Sequence, residues 1–139
     1  MPAPDFPRPN DALLALRPAV AATLSADDTT AARFLHSTLR PVLKLQNDVL
    51  LRVVAGFVQD HHIPLATASA VEQQRLLAEL LTRNTKLRYT IIGLVTGLFT
   101  LPEWAEYGLH RSELNRRLLE LATRRVQDQA GAVAVLVAE

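Results

Sequence analysis

Apolar residues recur every three or four positions along most of the chain, and this spacing predicts amphipathic α-helices. The longest such element covers residues 31 to about 60, and its wide apolar stripe is typical of a central helix buried on more than one side. Pro41 lies inside it, and a kink or break is expected near Arg40, because proline removes a backbone donor and clashes with the preceding turn. The pattern predicts no interior strand.

Capping residues mark where the other long helices begin. Their apolar positions predict helices over residues 70–83, 86–99, about 101–108 and about 110–129. Ser69 with Glu72, and likewise Thr100 with Glu103, form capping boxes, in which residues three apart satisfy each other's free backbone donors. Short connections between successive helices favour antiparallel packing of neighbours.

The two ends of the chain differ from this helical middle. Four prolines among the first nine residues predict an extended arm, after which a short helix begins with Asn10 or Asp11 as its cap. Gly131 is expected to separate an apolar tail from the last long helix. The sequence therefore predicts an all-α fold, a single-domain antiparallel helical bundle of five to seven helices with an extended Pro-rich N-terminal arm. Arm, bundle and tail are expected over residues 1–10, 11–130 and 131–139.

Length and composition are those of one ordinary globular domain. The 139 residues are 49% hydrophobic and 21% charged, which is enough to bury a core without disulfides, and cysteine is absent. The formal net charge of +1 excludes the strong basic excess of a dedicated nucleic-acid-binding protein. The first nine residues lack the apolar segment of a signal peptide, and the longest nearly apolar stretch is well short of the roughly 20 residues of a membrane span. A soluble, cytoplasmic protein with no membrane partner is expected.

Residues 60–62, Asp-His-His, are the only cluster of potential metal ligands in the sequence. Adjacent histidines point in different directions on a helix, whereas metal-binding pairs usually lie four residues apart on one face. We interpret His61 and His62 as a helix C-terminus, where imidazoles meet free carbonyl groups, with a metal or catalytic site as the alternative. The sequence also has no phosphate-binding loop or nucleophile elbow. We therefore predict no catalytic residue, metal or cofactor, and the balance is against an enzyme.

The last long helix carries a concentration of basic residues. They are Arg111, Arg116, Arg117, Arg124 and Arg125. Glu113 lies three and four residues before two of these arginines, and Glu120 lies four residues before Arg124. Such pairs stabilise a solvated helix face, which is the interpretation we favour. Phosphate or nucleic-acid binding is the alternative, although no aromatic residues interleave the arginines to stack on bases.

Three features of the sequence are candidates for a protein interface. Gly93 and Gly97 make one helix face small and flat, so it either packs within the chain or admits another subunit. Trp104 and Tyr107 either fasten the short helix to the bundle or anchor an interface, because large aromatic residues dominate binding hot spots. The third is the apolar tail, which the chain's own bundle or a neighbouring copy must cover. Its candidate residues are Val133, Val135, Leu136 and Val137.

These observations favour a non-catalytic interaction or assembly module that self-associates. A homo-oligomer, most simply a dimer built partly from the C-terminal region, buries one apolar patch twice across a two-fold axis. The first alternative is a nucleic-acid-associated or regulatory protein that uses the arginine-rich helix over residues 110–125. The second is a small-molecule-binding helical protein that uses His61, His62 or a space beneath Trp104.

Overall fold

The computed structural model describes residues 5–20 and 29–139, and every regular element within them is helical. Within these residues eight helices pack into a single domain, which confirms the predicted all-α bundle with one helix more than the expected five to seven. The first four residues of the predicted Pro-rich arm lie outside the described residues. The helices are α1 (Asn10–Ala15), α2 (the consecutive segments Thr30–Phe34, Leu35–Leu39 and Arg40–Leu45), α3 (Asn47–Asp60), α4 (Ala70–Arg83), α5 (Thr85–Thr96), α6 (Leu101–Leu109), α7 (Arg111–Asp128) and α8 (Ala130–Ala138). None of the described helices is long and apolar enough to cross a membrane.

Pro41 distorts α2 without ending it. The segment Leu35–Leu39 is π-helical, and the N–H of Arg40 bonds to the carbonyl of Leu35, five residues earlier. This wider turn comes directly before the proline, whose ring would crowd the carbonyl four residues back in a regular helix. The predicted irregularity near Arg40 is confirmed, but the break in the 31–60 element lies at Gln46, where φ is −90° and ψ is 9°.

The hydrophobic core forms where the six helices α2–α5, α7 and α8 meet. Helix α7 packs against α4 and α5, while α8 packs against α3 and α4. The largest fully buried side chains are Phe34, Phe99, Leu39, Leu43, Leu50, Leu65, Leu77, Leu81, Leu87, Ile91, Leu114 and Leu118. Each such side chain contributes roughly 1.5–3 kcal/mol by leaving water. No residue of α1 is buried, so the first helix lies outside this core.

The apolar C-terminal segment is a helix rather than a tail, and it accounts for the eighth helix. Gly131 is the second residue of α8, and the chain turns earlier than expected, at Gln129, where φ is −116°. Val133 is completely buried, and Gln59 of α3 donates a hydrogen bond of 3.1 Å to the carbonyl of Val137. The segment therefore packs on its own bundle, which is one of the two expected ways to cover it, the other being contact with a neighbouring copy.

Candidate functional site

Residues 8–17, here called the strap, are fastened across the turn between α5 and α6. The guanidinium group of Arg8 donates hydrogen bonds to the carbonyl oxygen of Gly97 at 2.7 Å and to that of Phe99 at 2.9 and 3.2 Å. These carbonyls follow the last turn of α5, where a helix leaves acceptors without intrahelical partners. An arginine from the Pro-rich arm therefore provides hydrogen-bond donors to carbonyl groups just after a helix about ninety residues away.

Asn10 caps a different helix from the one that the sequence suggested. Its side-chain oxygen accepts a hydrogen bond of 3.0 Å from the N–H of Leu101, the first residue of α6. Helix α1 instead follows Pro9, with no side-chain cap. The expectation that Asn10 or Asp11 caps α1 is wrong, because the free donor at the start of α6 competes for the same amide oxygen.

Glu103 joins the strap, α2 and α6. Its carboxylate accepts two hydrogen bonds of 2.6 Å from Arg17, and the Arg17 side chain is only 6% exposed. Thr38, from the π-helical segment of α2, donates to the same carboxylate at 2.9 Å. The backbone N–H of Thr100 donates at 2.9 Å and completes the predicted capping box. Glu103 therefore has partners from three separate parts of the chain.

The electrostatic balance at Glu103 strongly favours the ionised carboxylate. Burial alone would raise the pKa of this group, since it weakens the solvation of the charge. The hydrogen bonds from Arg17, the Thr100 backbone and Thr38, together with the positive charge of Arg17, outweigh that effect and lower the pKa to about 2. The strap is thus held by a charge-assisted, bidentate pair, the strongest kind of side-chain hydrogen bond.

A cluster of aromatic rings lies beside this junction. Phe99 is central, and its ring packs edge-on against those of Phe34, Trp104 and Tyr107 at centroid distances of 5.5, 6.0 and 5.6 Å. Tyr107 is buried, and its hydroxyl donates to Asn115. Trp104 keeps 38% of its surface exposed. Of the two aromatic interface candidates, only Trp104 reaches solvent.

Several apolar side chains around the strap and α6 are exposed, and we call this surface the strap face. It comprises Phe6, Leu14, Leu16, Leu101 and Trp104. The bonds of Arg8, Asn10 and Arg17 hold the strap, which carries Leu14 and Leu16, against the start of α6, which carries Leu101 and Trp104. Gly93 and Gly97, at the end of α5, are also exposed, and a methyl group added at Gly93 would meet no atom within 4 Å. At Gly97 an added methyl group would lie 2.9 Å from the carbonyl oxygen of Gly93, so the backbone of the chain itself explains that glycine, whereas Gly93 is not explained by close packing inside the described chain.

The C-terminal interface candidates are mostly used inside the molecule. Val133 is buried, while Leu136 and Val137 are half-buried against the core. Val135 is 63% exposed. Helix α8 therefore presents one large apolar side chain to solvent, and the rest of its apolar surface packs on the bundle.

A second surface feature, the basic groove, lies between α2 and α7. It encloses about 690 Å³. Its basic residues are His36, Arg40, Arg117, Arg124 and Arg125, its apolar residues are Leu35, Leu43 and Leu121, and its acidic residues are Glu120 and Asp128. Three of the five arginines singled out on the last long helix thus face the groove, whereas Arg111 and Arg116 are not among its lining residues. The two basic residues of α2 were not among the candidates found in the sequence, although their spacing of four was a signal for a shared helix face.

The ion pairs along α7 differ in part from those expected. Arg117 pairs with Glu113 at 3.3 Å, as its spacing suggested. Glu120, however, pairs with Arg116 at 2.8 Å rather than with Arg124. In the part of the chain that is described, Arg40, Arg124 and Arg125 have no carboxylate within ion-pair distance. Among the described residues, these three guanidinium groups of the basic groove therefore lack a carboxylate partner, although Glu120 and Asp128 also place negative charge in its lining.

The His61–His62 pair forms a helix C-terminus. His62 has a positive φ of 52°, its N–H bonds to the carbonyl of Gln59, and the N–H of Ile63 bonds to the carbonyl of Val58. These two bonds are those of a Schellman motif, with His62 at the left-handed position that glycine usually occupies. No group of three or more potential metal ligands is found within residues 5–20 and 29–139.

Replacing His62 with glycine is expected to raise the free energy of unfolding by about 0.5–1 kcal/mol. A side chain at positive φ is strained, and glycine relieves this strain at some cost in the entropy of the unfolded chain. His61, at a φ of −95°, supplies the matched control, since glycine there should destabilise the protein by a similar amount. Urea unfolding of both variants measures the difference, and two changes of the same sign would contradict the assignment.

Two surfaces thus stand out from the rest of the molecule. The strap face offers exposed apolar side chains held on a rigid junction, which suits a protein partner. The basic groove offers guanidinium groups above apolar side chains, which suits an anion. Comparison of the chain with family models, curated proteins and solved structures found no match.

Proposed function

We propose that this chain is a non-catalytic interaction module of the cytoplasm that self-associates, most simply as a dimer. The observation that carries the proposal is the strap face. Leu101 is 57% and Leu16 is 59% exposed, next to the partly exposed ring of Trp104. Isolated exposed leucines are normal on protein surfaces, but several apolar side chains at one end are typical of an interaction site.

The strap face is preorganised for binding. Trp104 is held edge-on by Phe99 and Tyr107, so its orientation is set before a partner arrives. The strap itself is fixed by Arg8 and Arg17 through hydrogen bonds to α6 and the turn before it. Binding to such a surface loses little conformational entropy, and anchored aromatic residues are the usual centres of binding energy.

A second copy of the chain is the partner that these features favour. In a two-fold arrangement the strap face would meet its own equivalent, so that one apolar surface is buried twice. The formal net charge of +1 leaves little electrostatic repulsion between copies. Gly93 of α5, one turn before the Gly97 carbonyl that binds Arg8, leaves room for a neighbouring backbone to approach closely. In contrast to the interface expected from sequence, this one does not need the buried residues of α8.

Replacing Leu101 with arginine is expected to convert the dimer to a monomer, because a charge would be buried at the centre of the interface. Leu16→Arg tests the same surface from the strap, and Val71→Arg on α4 is the matched control because Val71 is exposed elsewhere. Light scattering at several concentrations up to high micromolar measures the mass of each protein. A monomeric wild-type protein, or a dimer that survives both strap-face changes, would contradict the proposal.

A further inference from the structure

We propose that the basic groove between α2 and α7 binds a small organic phosphate, a molecule with a phosphate group and a short apolar part. This function goes beyond self-association and concerns a different surface. The groove encloses about 690 Å³, which lies within the range of roughly 300–1,000 Å³ typical of small-molecule sites.

The charge of the groove indicates an anionic ligand. Arg40 from α2 and Arg124 and Arg125 from α7 line it, and none of the three forms an ion pair with a carboxylate of the described chain. A guanidinium group is planar and matches two oxygens of a phosphate at once. Several guanidinium groups beside one cavity, without a carboxylate partner in residues 5–20 and 29–139, therefore favour a ligand with a multiply charged head group.

Hydrogen bonds position two of these side chains, Arg125 and Arg40, before a ligand enters. Asn47 and Gln129 exchange two bonds of 2.8 Å, which join the start of α3 to the end of α7. Gln129 also donates to the carbonyl of Arg125, and the guanidinium of Arg125 lies 3.4 Å from the Asn47 oxygen. On the opposite wall, Arg40 contacts the His36 ring at 3.3 Å. Binding at such a site needs little rearrangement of the protein.

The remaining lining of the groove indicates that the ligand is organic and small. Leu35, Leu43 and Leu121 provide apolar surface next to the arginines. Glu120 and Asp128 also face the groove, and together with Glu113 they place negative charge along α7. A nucleic acid that followed this helix would bring its phosphates close to these carboxylates, which is unfavourable. A short ligand can contact the arginines and avoid the acidic positions.

The binding test uses phenyl phosphate and inorganic phosphate as probes, added to the full chain at constant ionic strength and followed by amide NMR shifts. Phenyl phosphate should shift the amides of the groove and bind at least several-fold more tightly than inorganic phosphate. Arg124→Gln and Arg40→Gln should each weaken it about tenfold or more. Arg111→Gln on α7 and Arg33→Gln on α2 remove the same charge outside the groove and should change binding less than about twofold.

Four results would contradict this proposal. The first is the absence of saturable shifts in the groove at about 10 mM phenyl phosphate. The second is an equal loss of binding in all four variants, which would indicate a general effect of net charge. The third is tighter binding of an oligonucleotide than of phenyl phosphate, weakened as much by Arg111→Gln as by Arg124→Gln, which would indicate a nucleic-acid surface. The fourth is equal affinity for phenyl phosphate and inorganic phosphate, which would show that the apolar part of the ligand does not contribute to binding.

Discussion

Replacing Glu103 with alanine is expected to lower the free energy of unfolding by about 3–5 kcal/mol. The change leaves the guanidinium of Arg17 buried without its partner, and an uncompensated buried charge is among the most destabilising single defects. It also removes the capping box of α6 and the bond to Thr38. Glu106→Ala on the same helix is the matched control and should cost less than about 1 kcal/mol. Urea denaturation measures both, and similar costs would contradict the central role of Glu103.

Glu103 also makes the stability of the protein depend on pH in the acidic range. The pKa of Glu103 falls from 4.5 to about 2 on folding, so its stabilisation is fully present above about pH 4.5 and is lost as the pH falls toward 2. At about 1.4 kcal/mol per pKa unit this shift corresponds to about 3 kcal/mol, and solvent screening of the partly buried carboxylate lowers that figure. Glu103→Gln lacks the titrating group, so its stability deficit relative to the wild type should shrink between pH 5 and pH 2.5. A deficit that does not change with pH would mean that the pair with Arg17 does not form.

Helix α8 is the second place where a large effect is expected. Val133→Ser should cost about 2–3 kcal/mol, because Val133 is completely buried and serine removes apolar volume while adding a hydroxyl group. Val135→Ser, two residues later on the same helix, should cost less than about 0.5 kcal/mol, since Val135 is largely exposed.

Truncation after Gln129 extends the test of α8. It removes all of α8 and exposes the apolar surface of α3 and α4 beneath it, so the shortened chain is expected to precipitate or unfold. Thermal unfolding compares the two valine variants, and sedimentation measures the soluble fraction of the truncated chain. A folded, soluble truncation would show that α8 is dispensable.

Local signals in the sequence were sufficient to predict the helices. Ser69 and Thr100 both cap their helices as expected, because a cap depends only on residues within one turn. Only Thr100 and Glu103 form the complete capping box, since the carboxylate of Glu72 pairs with Arg75 instead of the Ser69 backbone. Periodicity did not predict helix α8, because residues 130–138 are apolar on all sides and such a segment can equally be a tail or a strand. Pro41 predicted a distortion of α2, but the position of the break at Gln46 depends on how the flanking helices pack.

The candidate sites were only partly predictable, because each combines residues far apart in sequence. Three arginines of the basic groove were found from their helix, but Arg40 and His36 reach it from α2, about eighty residues earlier. The strap depends on bonds such as that from Arg8 to Phe99, across 91 residues. No local pattern identifies the partner of a lone arginine in a Pro-rich arm, so the role of the strap required the structure.

The length of the loop that the strap closes also determines when it can form during synthesis. A ribosome releases the N-terminal residues first, whereas the carbonyls that bind Arg8 and the carboxylate that binds Arg17 belong to residues 97–103. A loop this long closes after the local helices have formed, because its closure costs conformational entropy that the distant contacts offset only late in folding. Phe6, Leu14 and Leu16 therefore lie on an unattached segment of the nascent chain until α6 has emerged, a period in which a chaperone can bind the same residues that later form the strap face.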